Sequence, residues 1–303
     1  MKRVRFVIFL AALLIVVRPS FVFADISATL KKADSLYRAD KHAEAEDILL
    51  KALSDVTTNK EKAEVYWRLA RTVEKIGERK KNDGTASKEE LLAIFEKGEK
   101  YADRAIRYNP QDYNAYFWKS ANIGRWGQTK GILNSLFKAG PMRDLLVKAI
   151  SIKPDFPDAY YVLGQLYEQV PGFPLSFGNV EYAVSLGRKA VDLMKKWYAA
   201  GLKKEIDYSY YKELAKHLYK RDWSARKRKK YQPKERRKYN SETDLLKKSF
   251  YYEGIVSLKD ISDREEAVEM IRWVIEKLES IPNKTPSKLD DLKESKELLA
   301  KWE

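Results

Sequence analysis

Internal repetition constrains this chain more than any other feature. Ala149-Ile150-Ser-Ile-Lys-Pro154 repeats Ala105-Ile106-Arg-Tyr-Asn-Pro110 at an offset of 44 residues, and Ala159-Tyr160 repeats Ala115-Tyr116 at the same offset. Between Pro154 and Val191, residues Tyr160, Leu163, Gly164 and Tyr167 follow the 3-4 spacing of one helical face. Gly164, Ala183 and Ala190 are small enough to let two antiparallel helices approach closely. The unit is therefore a helical hairpin closed by a proline. One such hairpin cannot bury its apolar face alone and must stack on its neighbours.

Reading outward from these copies, an all-α solenoid of about four hairpins is expected at 26–57, 62–110, 114–154 and 158–197, within a single domain over 25–303. Ala45, Leu49 and Ala52 mark the second helix of the first hairpin. Tyr66, Leu69, Ala70 and Val73 mark the first helix of the second, and Ala121 is taken as the counterpart of Gly164. Insertions lengthen the repeats: a polar loop at 80–87, with Ser87 and Glu90 placed as a capping box, and a partly helical stretch at 127–140. The loop 171–179 reads as ordered, because Phe173, Leu175 and Phe177 are too apolar for a solvated linker. The C-terminal helices, 203–303, are expected to include a hairpin (Ser241–Leu258 with Arg264–Ser280) and a capping helix at 287–302.

Residues 1–24 read as a signal peptide. Lys2, Arg3 and Arg5 precede an apolar run, Phe6 to Val17, of 12 residues, too short to span a bilayer, and Val22-Phe23-Ala24 suits cleavage before Asp25. An exported, periplasmic protein is expected, soluble after cleavage. The chain has no cysteine, so a lipid anchor on cysteine and disulfides are excluded. The formal net charge of +15 is concentrated: residues 220–239 hold 11 Lys/Arg against Asp222 and Glu235.

No catalytic motif is present. His42 falls in a turn and His217 on a polar helix face; two histidines without cysteine make an ordinary zinc set unexpected. Gly124–Gly131 lacks phosphate-loop spacing, and no cofactor or metal is implied. A non-enzymatic binding protein is expected. In a helical-hairpin solenoid the first helices line the concave side. Counting from Ala70, Ala121 and Gly164 places Trp67, Trp118 and Tyr161 at one level, then Arg71, Asn122 and Gln165, with Arg125 and Trp126 a turn further. With Phe173 and Phe177 these make a candidate groove, against the alternative that the aromatics pack on inserted segments. Arg226, Lys227, Arg228, Lys229, Lys230, Arg236 and Arg237 are a candidate anionic-surface site in an exposed loop or frayed helix, for membrane or an acidic partner rather than nucleic acid.

The hairpin pattern is that of the tetratricopeptide repeat (TPR). Glu64-Val-Tyr-Trp-Arg-Leu-Ala70 resembles the signature of the regulator-of-microtubule-dynamics TPR family. Tyr160–Gly164 followed by Pro171-Gly-Phe-Pro-Leu-Ser-Phe-Gly178 resembles the TPR component found with tripartite ATP-independent periplasmic (TRAP) transporters of spirochaetes. That second resemblance implies a trimer, docking of the transporter's periplasmic solute-binding protein, and a pore passing a small hydrophobic ligand. Members of that group are lipoproteins, and this chain departs from them in having no cysteine. The alternative is a structural envelope scaffold that binds proteins and no ligand.

Overall fold

The computed structural model describes residues 26–303; the expected signal peptide lies outside the described residues. Among those residues stand thirteen α-helices and one short 3-10 turn. Consecutive helices pair as hairpins: α1 (Ile26–Arg38) with α2 (His42–Ala52), α3 (Asn59–Asn82) with α4 (Lys88–Tyr108), α5 (Tyr113–Lys130) with α6 (Ile132–Ile152), and α7 (Pro157–Gln169) with α8 (Val180–Ala199). The all-α hairpin solenoid is therefore the observed architecture.

The residues at the inward positions, alanines for the most part, sit where close helix packing needs them. Ala33, Ala45, Leu49, Ala52, Leu69, Ala70, Ala102, Ala105, Ala183 and Ala190 are all buried. Local chemistry starts the helices: Ser87 Oγ accepts from the Glu90 amide at 3.2 Å while the Ser87 amide donates to Glu90 Oε2 at 2.7 Å. Thr58 with Glu61 and Ser262 with Glu265 repeat this reciprocal cap.

Three expectations are corrected. The 127–140 stretch, expected to be helical only in part, is helical on both sides of Gly131: α5 runs on to Lys130 and α6 begins at Ile132, with Gly140 and Pro141 inside it. The extra residues lengthen both arms of the hairpin. The span 241–258 is not one helix; it holds α11 (Leu245–Ser249) and the 3-10 turn Tyr252–Ile255. The basic segment is neither loop nor frayed end. It forms a continuous helix, α10 (Ala225–Ser241), with Pro233 inside it.

These corrections reveal a fifth hairpin. Helix α9 (Ser209–Arg221) packs against α12 (Asp263–Glu279), and α10, α11 and the 3-10 turn are inserted between its two arms. Helix α13 (Pro286–Trp302) follows on α12 and crosses back to the start of the described chain. The Ser287 amide donates to Asp40 Oδ2 at 2.7 Å, in the α1–α2 turn, and Arg79 at the end of α3 pairs with Asp290 at 3.0 Å.

Candidate functional site

Ion pairs join successive first helices. Asp34 on α1 accepts from Arg68 at 3.0 Å and from Arg71 at 2.5 Å on α3. Burial alone would raise the Asp34 pKa, and the two guanidiniums more than offset it, so the carboxyl is held below its ordinary value. Arg71 also lies over the Tyr37 ring, 3.9 Å from its centroid. Arg125 on α5 donates to Glu74 Oε1 at 2.7 Å and to Glu78. On α7, Tyr161 packs against Tyr210 of α9 with ring centroids 4.7 Å apart and planes tilted by 34°, and burial drives its phenol pKa well up.

The expected aromatic groove is thus not an aromatic groove. Trp67 is buried against Ala105 and Ala115, its indole N–H donating to Glu64 at 3.1 Å. Asn122 is fully buried and clamps three helices: its amide donates to the carbonyls of Ala70 and Trp118, at 3.1 and 2.8 Å, and its Oδ1 faces Gly98 of α4. Trp118 is half-buried, edge-on to Phe117, and Trp126 donates to Glu96 of α4 at 2.9 Å. Gln165 is half-buried as well. The register of the third hairpin also shifts by one. The small position on α5 is Ser120, fully buried with its hydroxyl donating to the Met142 carbonyl at 3.2 Å, whereas Ala121 is only partly buried. Phe117, not Trp118, is therefore the counterpart of Trp67 and Tyr161, and the 44-residue offset extends to Ser120 and Gly164.

The loop between α7 and α8 separates its three apolar residues. Its base is closed by the Gly178 amide on the Pro171 carbonyl at 2.9 Å and the Asn179 amide on the Tyr167 carbonyl at 2.8 Å. Asn179 caps α8 through the Glu181 and Tyr182 amides. Phe177 turns inward, edge-on to Tyr167 at 5.2 Å and under the Arg143 guanidinium at 4.6 Å. Phe173 and Leu175 point outward, 93% and 78% exposed. The loop is expected to be ordered by its three apolar residues, but two of them stand in solvent and contribute nothing to the core; backbone hydrogen bonds close it instead.

The basic segment divides likewise. Arg228, Gln232 and Arg236, four apart, form the face of α10 turned to the protein. Arg228 is buried against Asp263 and Glu266, Gln232 donates to the Val256 carbonyl at 2.6 Å, and Arg236 donates to the Gly254 carbonyl at 2.9 Å. Arg228 is thereby removed from the expected anionic-surface site, since its charge is already matched. Arg226, Lys227, Lys229, Lys230 and Arg237 remain exposed, and so does Arg236 despite its bond to Gly254.

Behind α10 lies a feature that hydrophobic periodicity does not reveal. Arg188, Arg221 and Arg228 meet Glu253, Asp263 and Glu266 in a charge-balanced buried network. Burial would push the Glu253 pKa up, but Arg188 and Arg221 hold it down to about 2. His217, expected on a polar face, is instead 1% exposed. Among the described residues no helix is long and apolar enough to cross a membrane.

Comparison with known proteins agrees with this architecture. The family model for regulator of microtubule dynamics protein 1-3 matches residues 29–172, just under half of the chain. Regulator of microtubule dynamics protein 1 of Bos taurus is 24% identical over 190 residues, 62% of this chain and 56% of that protein. Protein 3 of Bos taurus is 24% identical across 66% of this chain and 43% of its own length, and protein 1 of Pongo abelii is 28% identical across 46% and 44%. The chain thus spans about half the length of the curated relatives it matches. A crystal structure of a thermophilic TPR protein of Thermus thermophilus superposes with a TM-score of 0.52 at 13% identity, over 91% of this chain and 97% of that one. The protein is a TPR-like α-solenoid, and the first seven of its described helices are similar to the regulators of microtubule dynamics.

Proposed function

We propose that this chain is a non-enzymatic repeat protein that binds another protein through the Pro171–Asn179 loop. The observation that carries the reading is the outward display of Phe173 and Leu175 from a loop whose backbone is fixed at both ends. Two large apolar side chains held in water by an ordered frame gain by being covered, and preorganisation lowers the entropy cost of covering them. The fold supports the same reading, since stacked helical hairpins serve as binding surfaces.

The partner class rests on the sequence. A basic, then apolar, first segment supports export, and the Pro-Leu-Ser-Phe-Gly loop supports association with the periplasmic solute-binding subunit of a TRAP-type transporter. A hydrophobic channel is not part of the reading, because Asp34–Arg71 and Glu74–Arg125 pairs stand between the first helices that would line it. Nor is regulation of microtubules carried over from proteins that this chain covers only by half.

Site-specific photo-crosslinking tests the reading. A photoreactive residue in place of Leu175 should capture one protein in intact cells, the solute-binding subunit, and Phe173→Ser should abolish capture. Capture equal to that from a probe at exposed Leu50, on α2, would overturn it.

A further inference from the structure

We infer that Glu168, Glu213 and His217 form a binding site for a divalent first-row transition metal, of which Zn2+ is the representative ion. One potential ligand atom from each residue lies within 4.8 Å of the other two. Tetrahedral ligands at ~2.0–2.2 Å from one Zn2+ stand about 3.3–3.6 Å apart, so the side chains need close by at most about 1.5 Å. Glu213 and His217 stand four apart on α9, which puts both on one helical face. Glu168 reaches them from α7.

The site is built rather than incidental. Gly164 on α7 and Gly187 on α8 make room for the imidazole: a Cβ at Gly164 would lie 3.1 Å from His217 Nε2, and one at Gly187 3.0 Å from Cδ2. Nδ1 of the ring already stands against the Glu168 carboxylate, and a metal at the site takes the place of the hydrogen between them. Glu213 is 3% exposed, and its Oε1 has no hydrogen-bond partner. A buried carboxylate oxygen without a donor is costly, and a cation removes that cost.

Two lysines face the cluster and set its terms. Lys216 Nζ is 3.0 Å from Glu213 Oε2 and 3.9 Å from Glu294 Oε1, so it has a second carboxylate in reach when a metal takes the first. Lys220 donates to the Glu168 carbonyl at 2.6 Å and stands 3.8 Å from its carboxylate, with half its side chain in solvent. One imidazole nitrogen with two carboxylates suits Zn2+ and its neighbours. Ca2+ and Mg2+ take oxygen ligands and gain nothing from the histidine. Three protein ligands leave a coordination position for water.

The test titrates the metal-free chain with Zn2+ by calorimetry and with Co2+ by visible absorption. Expected is one metal per chain, unaffected by excess Mg2+ or Ca2+, with Co2+ bands of a low-coordinate site. Glu213→Gln and His217→Gln should each weaken binding at least ~10-fold, and His42→Gln should leave it unchanged. Absence of saturable Zn2+ binding by the unaltered chain overturns the site, as does binding that survives Glu213→Gln. If His217→Gln fails to fold, the Glu213→Gln titration and the Co2+ spectrum decide.

Discussion

Arg221 and Asp263 close the fifth hairpin across 42 residues of sequence. Arg221 Nε donates to Asp263 Oδ2 at 2.7 Å and a terminal nitrogen donates to Oδ1 at 2.8 Å, with both side chains buried. The pair joins the last turn of α9 to the first of α12, and Asp263 Oδ2 also accepts from the Trp223 amide at 2.9 Å. A bidentate contact in this place holds the two arms together after the chain has left to build α10 and α11.

Removing that guanidinium leaves carboxylates stranded in the interior. Arg221→Met should destabilise the fold by about 3–5 kcal/mol. Urea unfolding followed by circular dichroism measures it. A loss under about 1 kcal/mol, the scale of an exposed pair, would mean that Arg188 and Arg228 suffice without it.

Acid should act through the same network. The Glu253 pKa is lowered in the folded state to about 2 against an ordinary 4.5, so its contribution is complete above about pH 5 and disappears as the pH falls towards 2. The difference corresponds to about 3 kcal/mol. Stability measured from about pH 6 down to about pH 2 should fall, and Glu253→Gln, although less stable at the upper end, should show a shallower decline.

The α4–α5 contact leaves no room for a methyl group. A Cβ at Gly98 would stand 2.0 Å from Asn122 Oδ1, whose own amide is already committed to Ala70 and Trp118. Gly98→Ala should therefore destabilise by about 2 kcal/mol or more, despite alanine's helix preference of about 1 kcal/mol. In Gly98→Ala/Asn122→Ala the two losses should be less than additive, as a double-mutant cycle by thermal unfolding would report.

The display of Phe173 and Leu175 depends on a glycine. At Gly178 a Cβ would come 1.9 Å from the Val170 carbonyl oxygen and 2.8 Å from the Pro171 backbone. Gly178→Ala should open the loop base while leaving the helices formed. Crosslinking from position 175 should fall at least about tenfold with far-ultraviolet circular dichroism unchanged, the pattern of a lost anchor rather than a lost fold.

How much of this is readable in the sequence depends on the range over which each feature acts. The capping box at Ser87 and the small positions Ala45, Ala52 and Ala102 act within a few turns, and periodicity exposes them. The fifth hairpin escapes such a reading because its two arms are separated by an insertion and joined by charged residues. Helix α10 resembles a solvated run since its inward stripe, Arg228, Gln232 and Arg236, is polar. The candidate groove is misread for a different reason: periodicity within one helix does not show that Trp67 and Tyr161 pack on neighbouring helices, and in the third hairpin a slip of one residue at Ala121 rotates the choice by about 100°, enough to exchange Phe117 for Trp118. Glu213 and His217 do carry a signal in their four-residue spacing, but it becomes chemical only when α7 brings Glu168 beside them.

The contact between Ser287 and Asp40 changes what kind of repeat protein this is. An open array of hairpins can fray from either end and tolerates gain or loss of a unit. Here the last helix is fastened to the first turn, and Arg79 with Asp290 adds a second clasp. Two contacts of this size tie the first turn of α13 to the α1–α2 turn and the end of α3, so loss of α13 should loosen the α1–α2 turn before it disturbs the hairpins between them.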